Sequence, residues 1–367
     1  MLVKALSRQN IGQETAEAAS EAAQVALDEL WKEGWITASV THRDERAAAE
    51  LRAWAEDIRQ RAGLVVISAG RGTAALRAIL DACPGSDGSP EVTVWDGSLS
   101  PGDFSALIKK IDNVNTVFIA VSSGEETLEQ RAAYAVIKQA VFAAHHAEEG
   151  EKVFAICPRG AGEIGMDAEE NSYPRADLDP GADEWPGNSA AALLGLMIKG
   201  ADAGAYLKGF YDTVSSPEWD TGAALTAYVL AEAAGQAGGK GPDVISWQRE
   251  LRGFARWFAD KAGGTPLYMP RDKGRASSVP RIMIFTEQGH QDIRTPPFEG
   301  CDPDGSLELL LGSAADSWFF GTSEEDGLAG FKFCVEELDA GNAGALAAYV
   351  QMTLWLAEYF GNAGSVR

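Results

Sequence analysis

The stretch VFIAVSSGEETLEQ, residues 117–130, sets the fold and poses the functional question. Val117 to Val121 is an unbroken apolar run of strand length, and Ser122-Ser123-Gly124 then leads into a helix-forming segment. A buried strand that passes through a small hydroxyl loop into a helix N-terminus is a common phosphate-binding device, because free backbone N–H groups and the helix dipole face the anion. Glu125 and Glu126 stand in the same loop, and carboxylates repel a phosphate. The loop has either kept its anion or replaced it.

Working outward, strands and helices alternate. LVVISAG (64–70), EVTVWDG (91–97), TVFIAV (116–121) and KVFAICP (152–158) read as strands, with helices at 73–83, 101–111 and 125–146 between them. This order predicts a parallel sheet with helices on both faces. Two amphipathic helices precede it, at 12–32 and 44–61, the second capped by Asp44. From Pro158 to Gly187 the chain is rich in Gly, Pro and acids and reads as loop; helix restarts at 189–199. Further helices are expected at 222–236 and 245–262. Short strands follow at 265–269 and 281–288, with room for others at 307–311 and 317–320. The final helix, 343–361, is apolar nearly all round, the mark of a helix buried between layers.

Composition narrows the partners. The chain has 367 residues, more than one typical core holds, and carries 54 acidic against 31 basic residues for a net charge of −23. Such a surface repels nucleic acid and anionic membranes, so neither is expected as a partner. It also repels anionic metabolites, so a sugar-phosphate site needs local correction by backbone N–H groups or an Arg. No apolar run reaches the roughly 18–20 residues of a membrane span, and the first residues lack the apolar core of a secretory signal; the cytoplasm is the expected location. The four cysteines, at 83, 157, 301 and 334, show no metal-ligand spacing and read as reduced. CDPDGSLE (301–308) lacks the full calcium-loop spacing and reads as a turn. No metal site or cofactor is expected.

The turn after the first strand, Gly70-x-Gly72-x-x-Ala75, with Asp96 ending the next strand, admits a dinucleotide-binding reading or a tight structural turn. A third reading comes from order. WAEDIRQRAGLVVISAGRGTAALRAIL, then VWDGSLSPGDFSALIKKIDNVNTVFIAVSSGEETLEQ, then WPGNSAAALLGLMIKGAD resembles the sugar-isomerase (SIS) family, and more narrowly the phosphoglucose isomerases, particularly the short forms fused to transaldolases. The resemblance spans roughly residues 45 to 205 and is thinner beyond. It outranks the nucleotide reading. It implies a three-layer α/β/α sandwich with a mostly parallel sheet, in two SIS-type domains, 1–205 and 206–367, the second reduced and closed by the last helix. It also implies a homodimer.

The same resemblance assigns residues. Gly70, Gly72 and Thr73 form the turn that approaches a sugar, Thr73 standing where the family has a third Gly. Ser122, Ser123, Gly124 and Thr127 fall in the family's phosphate loop. Ser189 matches the Ser that opens the following helix, while Gly187 stands where the family has an Arg. The family's base has no clear counterpart beyond Asp260. His290 is the candidate ring-opening residue, since imidazole titrates near neutrality, with Glu287 as a base beside it. The residues themselves add a competing reading of the loop: Ser123-x-x-Glu126 has capping-box spacing, with Ser123 taking an amide of its own helix and Glu126 reaching back. Two functions follow. One is glucose 6-phosphate–fructose 6-phosphate isomerisation through an enediolate; the other is a relative without activity that holds another ligand or serves as a structural partner.

Overall fold

The computed structural model describes residues 4–7, 17–23, 25–26, 45–145, 152–178, 181–182, 184–215, 218–236, 240–268, 279–288, 319 and 330–364. These divide into two compact units, residues 33–203 and residues 1–32 together with 204–367. The expected domains, 1–205 and 206–367, differ from this division in where the first 32 residues go.

The 33–203 unit is built on a five-stranded parallel sheet. Its strands are β2 (Leu64–Ser68), β3 (Glu91–Trp95), β4 (Thr116–Val121), β5 (Val153–Ile156) and β6 (Arg175–Ala176), in the order β3-β2-β4-β5-β6. β2 and β4 are buried at every position, as strands covered on both faces must be. Leu64, Val66, Phe118, Ala120, Val153 and Ala155 pack with Leu107, Ile111, Tyr134, Ile137 and Ile164 of the helices Pro101–Asn113, Leu128–His145 and Gly162–Glu170. Phe154, one position out of step, meets Trp54 of the helix Glu45–Arg61 edge-on at 5.3 Å. Alternation along each strand thus feeds two helical layers.

Local signals place the helix ends. Pro101 begins its helix behind Ser100, whose Oγ accepts from the Asp103 amide at 3.4 Å, and Ser189 caps the helix Ala190–Lys199. The helix expected from residue 125 begins at Leu128.

The other unit holds a mixed sheet in the order β1-β10-β9-β7-β8: β1 (Lys4–Ser7), β7 (Asp243–Ile245), β8 (Thr265–Leu267), β9 (Arg281–Gln288) and β10 (Gly330–Glu337). All neighbours are parallel except β1, which runs antiparallel to β10 with Lys4 opposite Cys334. The last helix, Ala340–Gly364, is buried from Ala343 to Leu354 and packs against the helix Glu218–Gln236. The segments 307–311 and 317–318 and residue 320, where strands had room to form, lie outside the described residues, and residue 319 is helical. Among the described residues no helix is long and apolar enough to cross a membrane.

Candidate functional site

The helix after β2, Thr73–Ala82, packs on the opposite layer from the helix after β4, so the chain diverges at the carboxyl ends of these two strands. Such divergence opens a crevice at the point where strand order reverses, the usual ligand position in an open α/β sheet. A cleft of about 300 Å³ lies there, lined by Ser68, Gly70, Arg71 and Thr73 after β2, by Trp95, Asp96 and Gly97 after β3, and by Thr127, Glu129, Gln130 and Ala133 after β4.

Each wall has a local cause. Gly70 has φ +53°, and a Cβ there would lie 2.7 Å from Gln130 Oε1, so this turn accommodates only glycine without strain. The Gln130 side chain is buried and its Nε2 donates to the Val121 carbonyl at 2.7 Å, tying the turn after β2 to the loop after β4. Arg77 Nη2 donates to the Val94 carbonyl at 2.6 Å and holds the end of β3 against the 73–82 helix. Trp95 stacks on Phe104 with ring centroids 4.7 Å apart, and its indole Nε1 is buried without a hydrogen-bond partner among the described residues. Asp96 accepts from the Ser98 amide at 3.0 Å and is otherwise exposed. Arg71, in the middle of the Gly70–Gly72 turn, is exposed and makes no hydrogen bond or ion pair to the described residues. Glu129 is held below the ordinary carboxylate range by its own backbone amide and by the Thr127 hydroxyl.

The loop after β4 closes on itself. Ser122 Oγ donates to Glu126 Oε1 at 2.6 Å and accepts from the Gly124 amide at 2.9 Å. The same Glu126 carboxylate accepts from the amides of Glu163 (3.1 Å) and Ile164 (3.4 Å), at the start of the 162–170 helix. Gly162 makes this approach possible: with φ +67°, it lies where a Cβ would be 2.3 Å from Glu126 Oε1. The capping-box expectation is therefore corrected. Glu126 does neutralise a helix N-terminus, but that of the following helix, with Ser122 rather than Ser123 as its hydroxyl partner. The loop's own helix is capped by Thr127, whose Oγ1 accepts from the Gln130 amide at 3.3 Å. Behind the site, Asp167 accepts from the Tyr134 hydroxyl and from Lys138 Nζ at 2.6 Å, pinning the 128–145 and 162–170 helices together.

Of the residues assigned from the sequence, Gly70, Thr73 and Thr127 line the cleft. Gly72 is buried in the turn beneath it. Ser122 and Gly124 are engaged within their own loop, Ser123 is half-buried beside them, and Ser189 accepts from the Ala192 amide at 3.2 Å as a helix cap. Glu287, near the end of β9, lies in the other unit, where its carboxylate takes the Cys334 thiol at 3.7 Å. Asp260 is exposed and faces Arg256 at 3.6 Å. His290, and the segment 301–308, lie outside the described residues. Arg71, Trp95, Glu129 and Gln130 went unassigned in the sequence. The first of these had a signal, since an acidic chain needs a local cation to hold an anion. Cys83, Cys157 and Cys334 are buried and form no disulfide among the described residues; burial pushes the Cys157 thiol up to about 11, which makes it inert. No group of three metal-ligating side chains occurs among the described residues.

No family model matches the chain, and no curated protein matches it in sequence. Solved structures do. A hypothetical protein from Thermus thermophilus superposes with a TM-score of 0.80 at 18% identity, over 100% of this chain and 98% of that one. A glucose-6-phosphate isomerase from Chlamydia trachomatis superposes with a TM-score of 0.68 at 14% identity, over 86% of this chain and 69% of that one. These matches give the chain the α/β fold of those two structures, mostly parallel sheets with helical layers, the fold that the resemblance implied.

Proposed function

We propose that this protein binds a phosphorylated sugar in the cleft at the ends of β2, β3 and β4, and that interconversion of glucose 6-phosphate and fructose 6-phosphate is the reaction its fold suits. The cleft carries this reading. Its volume, about 300 Å³, falls at the lower end of the range for small-molecule sites. It combines an aromatic wall at Trp95, hydroxyls at Ser68, Thr73 and Thr127, the Gln130 amide, the Asp96 carboxylate and the unpaired Arg71. Carboxylates and amides accept and donate to sugar hydroxyls, and a guanidinium matches a phosphate. The homodimer and the cytoplasmic location belong to the same proposal; the buried, unbridged cysteines at 83, 157 and 334 suit a reducing compartment.

Aldose–ketose isomerisation passes a proton between neighbouring carbons through an enediolate, so it needs a base in reach and positive charge near the developing oxyanion. The described lining offers the carboxylates Glu129 and Asp96 and a single cation, Arg71. A second reading, the same ligand held without turnover, is favoured by Gly187, which stands where the resemblance expects an Arg.

A thermal-shift titration with fructose 6-phosphate, 6-phosphogluconate, fructose and gluconate tests the ligand class, because a ligand of the native state raises apparent stability by RT ln(1 + [L]/Kd). A shift specific to the phosphorylated compounds supports the site, and a coupled assay then separates isomerase from binder. No shift with any of them overturns both readings.

A further inference from the structure

Resting on that reading, we infer that Arg71 is the phosphate anchor of the cleft and sets its preference for phosphorylated over free sugars. Two devices near the cleft could hold an anion: the strand–loop–helix after β4 and the guanidinium in the turn after β2. The first carries its own negative charge. The Gln130 amide goes to Thr127 Oγ1, and Glu126 supplies a resident anion shared between Ser122 and the 162–170 helix. A phosphate arriving there would meet two carboxylates, Glu126 and Glu129.

The second device is open. Arg71 is the one cation among the described residues lining the cleft, and it has no partner there. Its position is fixed from behind, since Gly70 is wedged against Gln130 and the Gly72 amide donates to the Ala69 carbonyl at 3.1 Å. Asp96 and Glu129, also in the lining, disfavour the phosphate at their own positions and leave them to hydroxyls. Charge therefore gives the cleft a polarity: phosphate on Arg71, sugar hydroxyls on the carboxylates and amide.

Calorimetric titration of fructose 6-phosphate and fructose into the full chain and its Arg71→Gln and Arg71→Lys variants tests this. The full chain is expected to prefer fructose 6-phosphate by roughly tenfold or more, the effect of one charge-assisted pair. Arg71→Gln should abolish that preference, while Arg71→Lys should keep part of it, a point charge replacing a fork. Because Arg71 is exposed, its variants should melt with the parent. A preference that survives Arg71→Gln overturns the inference and leaves the sugar-phosphate reading intact. A full chain that binds neither compound, or both equally, overturns the two together.

Discussion

Two loops at the same end of one sheet have met opposite fates. The turn after β2 is held from behind and leaves its charged side chain without a partner among the described residues; the loop after β4 spends polar groups on itself and on the next helix. Both begin from a fully buried parallel strand and both contain glycine at positive φ, so backbone shape does not separate them. What separates them is the charge each carries. A carboxylate in a loop that faces a helix N-terminus finds its amides and becomes structure, whereas a guanidinium that pairs with none of the described carboxylates stays available.

Breaking the closed loop should have the largest effect. Gly162→Val places a side chain in the left-handed region and on top of the Glu126 carboxylate, and should cost about 3 kcal/mol, read as a lowered melting temperature and denaturation midpoint. Glu126→Ala removes the acceptor of two amides and one hydroxyl and should cost about 2 kcal/mol. Added formate should restore part of this by filling the vacated position, as the melting temperature against formate concentration would show. If formate has no effect, Glu126 is not acting as a resident anion.

Smaller changes sharpen the contrast. Glu129→Gln removes a negative charge from the open cleft and should tighten fructose 6-phosphate binding about two- to fivefold at low salt by calorimetry, with the gain shrinking as salt is added. Ser122→Ala should lower stability by about 1 kcal/mol, since its hydroxyl bridges Gly124 and Glu126. Ser123→Ala, one residue on, should stay within about 0.5 kcal/mol in the same denaturation experiment. Equal effects at the two serines would restore the capping-box arrangement.

The sheet of the 33–203 unit was legible because buried parallel strands are continuous apolar runs, and the four expected ones match β2 to β5. β10 was not, because GFKFCVEE breaks its apolar run with Lys332; the structure buries that ammonium over the Phe285 ring at 4.7 Å, a contact made between strands and invisible along the chain. β1 and β7, four and three residues long, carry too little pattern to read. At the site, the glycines could be found by spacing and Thr127 through the family resemblance. Arg71 hid as the unspecified position between two glycines, and the partner of Glu126 lay 37 residues away at Glu163. Hydrogen bonds that cross from one loop to the next helix leave no local signature.

The antiparallel pairing of β1 with β10 bears on how the molecule is made. Residues 33–203 form a unit from one continuous stretch and can assemble as soon as they leave the ribosome. The other unit draws on both ends of the chain, so Lys4 to Ser7 must wait, with their backbone groups unpaired, until Phe331 to Cys334 have been synthesised. Vectorial synthesis thus finishes the inner unit first and leaves an early segment in need of a late partner, a window in which chaperones have something to hold.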